Sequence, residues 1–303
     1  MRPIGDVYGL PTWNAWQSEP HIDDLSHTKH PSGSHELLEP MPTITSYFQL
    51  SEIVAFLAVM NKNLTLLFRG QMSDRPLLPT LHRPSRPGNA GSELDPTARW
   101  NQLGARESDV MTALQKIGLP RYRHIQDPGI RYARWAVIQH YEVWPTPMLD
   151  FSTSLRVAAS FAFGPGRSDR GFLYVTGTRE LRSNLMPLRD VEGDKPERAD
   201  GVLTIRLNSV CPPGASRAHI QEGALMCLYP FTGESSQLTD GLNDFTTRVI
   251  ARFELRDWGN FWSPPDFGCL TERVLLRTDR LSFELAEAAR SDQADGGGPS
   301  SEA

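Results

Sequence analysis

The sequence predicts an α+β fold, with helices mostly first and a largely antiparallel sheet after them. Three observations carry this. The first half holds long apolar runs at helical spacing. The second half holds short β-branched and aromatic runs separated by Gly/Pro turns. One unbroken stretch, Gln139 to Phe163, joins the two regimes. Helices segregated from an antiparallel sheet define the α+β class.

Taken in order, residues 1–44 are rich in Pro, Ser, His and Asp with isolated Trp13 and Trp16, and read as an irregular extension. Over Ser46 to Asn61, Phe48, Leu50, Ile53, Val54, Phe56, Leu57 and Val59 have the dense spacing of a buried helix. Leu64 to Phe68 reads as a short strand delivering Arg69 at its end, and Gly70 then lets another group or a ligand approach the backbone. Pro84 to Pro96 is a loop. Thr97 to Ile117 predicts an amphipathic helix through Trp100, Leu103, Val110, Met111 and Leu114, broken near Gly104, with a stop at Gly118 and Pro120. A further helix is expected over Ile130 to Tyr141.

Strands are expected over Phe172–Thr176, Val202–Leu207, Ala224–Tyr229 and Phe245–Leu255, the last with clean alternation. Thr271–Leu276 and Ser282–Ala289 read as short helices. From Ser291 the chain, with Gly296-Gly297-Gly298-Pro299, has the composition of a disordered tail. This gives one α+β domain over residues 45–290, flanked by the extension and a tail over 291–303.

Composition narrows the functional classes. At 303 residues, with 39% apolar and 22% charged residues, the chain suits a soluble globular protein with a substantial core. A net charge of -5 argues against a protein devoted to neutralising a phosphate backbone. Three scattered cysteines, Cys211, Cys227 and Cys269, do not make a disulfide framework and favour a reducing compartment. The first residues lack an apolar signal region and no stretch is long enough to span a membrane, so the expectation is cytoplasmic. Cys211, His219 and Cys227 lack zinc-ligand spacing, and no metal site is expected.

The densest chemistry lies in the joining stretch. Thr146 sits between Pro145 and Pro147, which stiffens the turn. Ser152, Thr153 and Ser154 precede a helix-spaced run of Leu155, Val157, Ala158, Phe161 and Ala162, so any of the three hydroxyls suits an N-cap. Ser152, His140 and Asp150 supply the residue types of a hydrolase triad, which only geometry identifies. His140 also suits a buried, satisfied core histidine, and Arg69 a buried partner for Asp150. Arg121, Arg123, His124, Arg131 and Arg134, interleaved with Tyr122, Tyr132 and Trp135, form the basic-aromatic concentration of the chain and suit base stacking.

Phe68-Arg69-Gly70 followed by Gln71, then Gln139-His140-Tyr141, Pro145-Thr146 and Leu149-Asp150-Phe151-Ser152-Thr153, with the small-residue helix ending Phe161-Ala162, resemble the signature of the FRG-domain family. Arg217, Gln221, Gly223, Ala224 and Leu225 resemble its third block. Glu142 and Met148 depart from the family pattern, which usually has Gly and Leu there. The order Arg69, Ser152-Thr153-Ser154, Gln221-Glu222 also resembles the layout of the ADP-ribosyltransferase superfamily, implying an ADP-ribosyltransferase-like core that uses NAD as substrate.

On that resemblance Arg69, Gly70, Gln71, Asp150, Ser152, Thr153 and Ser154 would bind NAD. Glu222, Gln221 and His140 would be the catalytic candidates, with an unidentified protein or nucleic-acid acceptor. A guanidinium holds phosphate bidentately, and a carboxylate near the ribose stabilises an oxocarbenium-like transition state. Adjacent Gln221 and Glu222 on an extended strand would point to opposite faces. Proteins resembling the family suggest a toxin or antiviral-defence context. The alternative is a non-catalytic nucleotide- or RNA-binding module using Arg121 to Arg134; a third reading is a hydrolase using His140 and Asp150.

Overall fold

In chain order the strands are β1 (Thr43–Ile44), β2 (Thr65–Gln71), β3 (Leu149–Ser152), β4 (Arg170–Thr178), β5 (Val202–Arg206), β6 (Gly223–Leu228) and β7 (Val249–Arg256). The larger helices are α1 (Tyr47–Met60), α2 (Pro96–Ile117), α3 (Arg131–His140) and α4 (Leu155–Phe163). Shorter ones follow as α5 (Leu207–Val210), α6 (Ser216–Ile220), α7 (Ser235–Thr239), α8 (Trp258–Phe261) and α9 (Glu272–Leu275), before a final long helix, α10 (Arg280–Asp295). The computed structural model describes residues 41–84, 94–117, 131–164, 167–178, 202–239, 244–263 and 268–295.

The strands form one mixed sheet in the order β1-β7-β4-β2-β3-β6-β5, antiparallel throughout except for β1 on β7. The sheet is nearly two sheets. β2 pairs with β4 along its whole length, from Thr65↔Thr178 to Gln71↔Phe172, but with β3 through the single pair Phe68↔Ser152. β3 in turn pairs fully with β6. Two half-sheets, β1-β7-β4-β2 and β3-β6-β5, therefore meet at one residue pair and part on the Arg69/Asp150 side.

Each half has its own core. α1, α4 and α8 bury Leu50, Ile53, Leu57, Phe163 and Phe261 against Phe68, Leu173, Val175 and Phe253 of the first half-sheet. α2, α3 and α10 bury Leu103, Val110, Leu114, Trp135, Val137, Leu281 and Leu285 with Leu203, Ile205 and Leu225 of the second. Leu67, Leu149, Phe151, Tyr174 and Met226 form a third cluster that spans the junction.

Helix α4 lies so close to β2 and β4 that only glycine fits beneath it. A Cβ on Gly70 would stand 1.8 Å from the Ala158 carbonyl oxygen, and one on Gly171 would stand 2.4 Å from that of Ala162. The group that Gly70 admits to its backbone is the helix α4.

The expected elements form with adjustments. Strands and helices interleave, since β1 and β2 precede α2 and α3. α2 runs unbroken through Gly104, where a Cβ would meet nothing within 4 Å, while Leu103, Val110 and Leu114 anchor the buried face. A glycine costs about 1 kcal/mol there, too little to break so anchored a helix. Phe245–Arg248 is a 3₁₀ turn capped by Asp244, which accepts from the Thr246 N–H at 2.9 Å, so β7 begins only at Val249. α10 runs to Asp295, past the Ser291 expected to start a tail. Trp13, Trp16, Arg121, Tyr122, Arg123 and His124 lie outside the described residues.

Gly70→Ala is expected to lower the melting temperature by roughly 10 °C or to abolish soluble expression, because overpacking against backbone costs about 3 kcal/mol or more. Gly104→Ala should instead raise it by a few degrees. Thermal denaturation of the two variants side by side measures both signs.

Candidate functional site

Where β2 and β3 part, a cavity of about 510 Å³ opens. Phe68, Arg69 and Gly70 line it from β2, Asp150, Phe151 and Ser152 from β3, and Gln139 and His140 from the end of α3. Arg83, Arg99, Glu142, Arg217, Gln221 and Leu276 complete most of the wall. The cavity thus gathers four arginines and two carboxylates.

Arg69 closes the gap between the strands. Its Nη1 donates to the Asp150 carbonyl at 2.6 Å and its Nε to the Gln71 side-chain oxygen at 3.4 Å. Gln71 is steadied by its own amide, which donates to the Arg75 carbonyl at 3.0 Å. The bond to Asp150 goes to the backbone, so Arg69 is not the carboxylate's ion-pair partner. Burial pulls the guanidinium below its ordinary value, opposed chiefly by the charge of Asp150, yet an arginine stays protonated.

The Asp150 carboxylate has different neighbours. Gln139 Nε2 donates to Oδ2 at 2.9 Å, and His140 Nδ1 lies 3.4 Å from Oδ1. Gln139 is itself fixed, because its Oε1 accepts from Thr80 Oγ1 at 2.6 Å and from Thr146 Oγ1 at 2.8 Å. Thr146 is fully buried, and its flanking prolines bring no N–H groups that would need partners there. Its own N–H donates to Thr80 Oγ1 at 3.0 Å. Burial works to raise the pKa of Asp150, but the close approach and charge of His140, the charge of Arg69 and the Gln139 bond outweigh it. The carboxyl is held below its ordinary range, so it is an anion at neutral pH.

His140 is buried, yet among the described residues its Nε2 has no partner. It is therefore not the satisfied core histidine that its residue type suggests. Nδ1 faces Asp150, which leaves Nε2 as the ring nitrogen turned away from that carboxylate.

The hydroxyl cluster is spent on architecture. Ser154 caps α4, accepting from the Val157 N–H at 3.5 Å. Ser152 Oγ donates to the Gln221 carbonyl at 2.7 Å and accepts from the Ser154 N–H at 2.9 Å. Thr153 sends both its N–H and its Oγ1 to the Glu222 carbonyl, at 3.0 and 3.2 Å. These bonds tie the β3–α4 junction to the turn before β6. Ser152 is consequently no nucleophile paired with His140, and the Ser152/His140/Asp150 triad is not assembled.

The expected placement of Gln221 and Glu222 on a strand is corrected. Gln221 is the C-cap of α6 and Glu222 takes a left-handed φ of 46°, so β6 starts at Gly223. Gln221 lines the cavity, but its Nε2 is bound to the Leu275 carbonyl at 2.6 Å. Glu222 is exposed and does not line the cavity, whereas Asp150 does. Thr80, which orders Gln139, carries no signal in the sequence, because it stands in a non-periodic stretch ahead of a single 3₁₀ turn.

Of the basic-aromatic segment, Arg131 and Arg134 are held by Glu107 through their Nε atoms at 2.6 and 3.0 Å, and the Trp135 ring N–H donates to the same carboxylate at 3.0 Å. Arg131 packs over the rings of Trp100 and Trp135. Arg131, Arg134 and Trp135 thus meet on one carboxylate. Among the described residues no group of His, Cys, Asp and Glu is arranged to hold a metal ion, and no helix is long and apolar enough to cross a membrane.

The class defined so far is a mixed α/β protein whose polar cavity sits at a split in its sheet. Residues 65–170 match the family model described as FRG domain, and the chain carries an FRG domain over that span, from the first residue of β2 to the first of β4. That segment holds the Arg69, Gln139, His140, Thr146 and Asp150 network entire. No curated protein and no solved structure matches the chain.

A depressed carboxylate pKa contributes stability above the unfolded value, about 3.9, that is lost as pH falls through the folded value. The stability difference between wild type and Asp150→Asn should therefore be present at about pH 5 and shrink as pH falls below about 4. Denaturant unfolding between about pH 5 and about pH 3 checks it; a difference that grows as pH falls through that window contradicts the assigned ionisation.

Proposed function

We propose that the cavity binds NAD and that the domain transfers ADP-ribose from it to a protein or nucleic-acid acceptor. One observation carries the reading: an arginine held by neutral oxygens, Arg69, and an ionised carboxylate, Asp150, border the same cavity at the sheet split. NAD needs both signs of charge. Its diphosphate suits a guanidinium, and the ribose that loses nicotinamide develops positive charge that a fixed carboxylate stabilises.

On this reading the bond from ribose C1′ to the nicotinamide nitrogen breaks with its electron pair leaving on nicotinamide, which departs neutral. The oxocarbenium-like centre is stabilised by Asp150. The acceptor's nucleophile then bonds to C1′, and its proton passes to His140 Nε2. An ADP-ribosyltransferase-like core, with a strand-borne arginine ahead of a hydroxyl cluster and a helix, belongs to the same proposal, as do a cytoplasmic setting and a role as toxin or antiviral-defence effector. The serine and threonine hydroxyls here support the scaffold, so the work on the ribose falls to Asp150 and His140.

The test is nicotinamide release from NAD by purified protein, with and without a macromolecular extract. Wild type is expected to release it; Arg69→Ala and Asp150→Asn should each lose about 100-fold or more, the usual cost of removing a transition-state electrostatic partner. Glu222→Ala should stay within about twofold of wild type, since a surface side chain outside the cavity carries no such term. Undiminished turnover in Arg69→Ala, or neither release nor NAD binding by wild type, would sink the reading.

A further inference from the structure

Arg217 enters the cavity wall from α6, whereas Arg69 enters it from β2. Its backbone is pinned, with the N–H donating to Asp279 Oδ2 at 2.9 Å, and the same oxygen accepts from Tyr141 OH at 2.9 Å. Its side chain is only 15% exposed, and the guanidinium carbon lies 5.7 Å from the centre of the Tyr141 ring. Its hydrogen-bonding capacity is almost unused. Among the described residues Nε is buried without a partner, and the one side-chain acceptor is Glu142 Oε1, at 3.3 Å from Nη2. Buried donors are normally satisfied, so a fixed guanidinium with idle N–H groups at a cavity wall calls for an acceptor that comes from outside.

Glu142 is a poor permanent partner. Its side chain is 77% exposed, and an ion pair that open to water holds weakly. Its backbone is nonetheless in the left-handed region, at φ 56°, where glycine is at home and glutamate is strained. Strain kept at the rim of a cavity points to a role for the side chain it carries. Glu142 is also where the sequence departs from the glycine that the FRG pattern usually shows.

We propose that Arg217 is a second anion-binding point of this cavity and that Glu142 is its intramolecular placeholder, displaced when a diphosphate binds between Arg217 and Arg69. The inference deepens the NAD reading by naming where the second phosphate is held, and it rests on that reading only for the identity of the whole ligand. The glutamate keeps the mouth neutral and shut to weak anions; a diphosphate, with two charged groups to offer, outcompetes one half-solvated carboxylate. Arg217 recognises charge and Glu142 sets the threshold for it.

The experiment is calorimetric titration with inorganic pyrophosphate, and with NAD in parallel, of wild type, Glu142→Gln, Glu142→Gly, Arg217→Ala and Glu142→Gln/Arg217→Ala. Glu142→Gln should bind pyrophosphate about three- to tenfold more tightly than wild type, because a rim charge that competes for the ligand's partner is gone. Glu142→Gly should match it, and should also melt higher because the backbone strain is relieved. Arg217→Ala should bind about tenfold more weakly, and in the double variant the gain from Glu142→Gln should vanish. Unchanged or weaker pyrophosphate binding in Glu142→Gln, or a gain that survives loss of Arg217, overturns the placeholder. If the pyrophosphate pattern holds while NAD neither binds nor turns over, the second anion point stands and the transfer reading falls.

Discussion

The single backbone pair between β2 and β3, Phe68 with Ser152, is the constraint on which the rest of this molecule depends. Every other strand contact in the sheet except the short β1–β7 pair runs for several residues. At this seam the ladder stops after one pair, and the Asp150 carbonyl needs another donor. Arg69 supplies it at 2.6 Å. A buried carbonyl must find a partner, so the arginine is drawn into the gap, and its guanidinium comes to lie beside the residue whose carboxylate is the cavity's fixed anion. The split, the cavity and the charge arrangement are one feature. Gly70 secures it from behind, since without that glycine α4 could not approach β2 closely enough to hold the strand edge in place.

Around the seam, the residues that carry the family signature are partners of one another. Thr80 and Thr146 fill the oxygen of Gln139, the amide of Gln139 takes one oxygen of Asp150, and His140 takes the other. A chain of this kind fixes Asp150 from two directions, and the proline-braced turn fixes Thr146 in its turn. On the far side Ser152 and Thr153 hold the turn at Gln221 and Glu222 by its carbonyls. Each hydroxyl of the Ser152 to Ser154 cluster, available for a ligand on sequence grounds, is engaged with backbone instead. The cavity is rigid because its polar groups are mutually satisfied, and the exceptions, His140 Nε2 and Arg217 Nε, stand out for that reason.

Much of this is legible in the sequence. Helical spacing finds α1, α2 and α3, and alternation or apolar runs find β4 to β7, because these are periodic signals that burial imposes directly on a chain. The motif residues Arg69, Gln139, His140, Asp150 and Ser152 do converge on one cavity. What stays hidden is set by single dihedrals and long-range bonds. An extended strand would carry Glu222 as far as its neighbours are concerned, whereas a φ of 46° puts it in a turn and outside the cavity wall. Thr80 reaches Gln139 across 59 positions, and no local pattern encodes such a pairing. Ser154 illustrates a limit of a different kind: capping and ligand binding ask for the same hydroxyl at the same helix start, and only the bond to Val157 decides.

Net acidity and a cationic cavity are compatible here because the arginines are partnered in two ways. Away from the cavity they meet carboxylates: Arg131 and Arg134 on Glu107, Arg252 on Asp74, Arg170 and Arg256 on Glu254. Each of those charges has a carboxylate at hand, although Glu107 and Glu254 each serve two arginines. Arg69 is bound instead by a backbone carbonyl and a side-chain amide, neutral oxygens that satisfy its hydrogen bonds without a direct ion pair, and its charge is offset only by the field of the nearby Asp150 carboxylate. Hydrogen-bond satisfaction fixes the geometry of a guanidinium, while charge compensation decides whether it still attracts an anion. Arg69 has the first and only part of the second, and Arg217 has a weak measure of each. A chain with an overall charge of -5 can therefore concentrate its unspent positive charge at the place where its sheet comes apart.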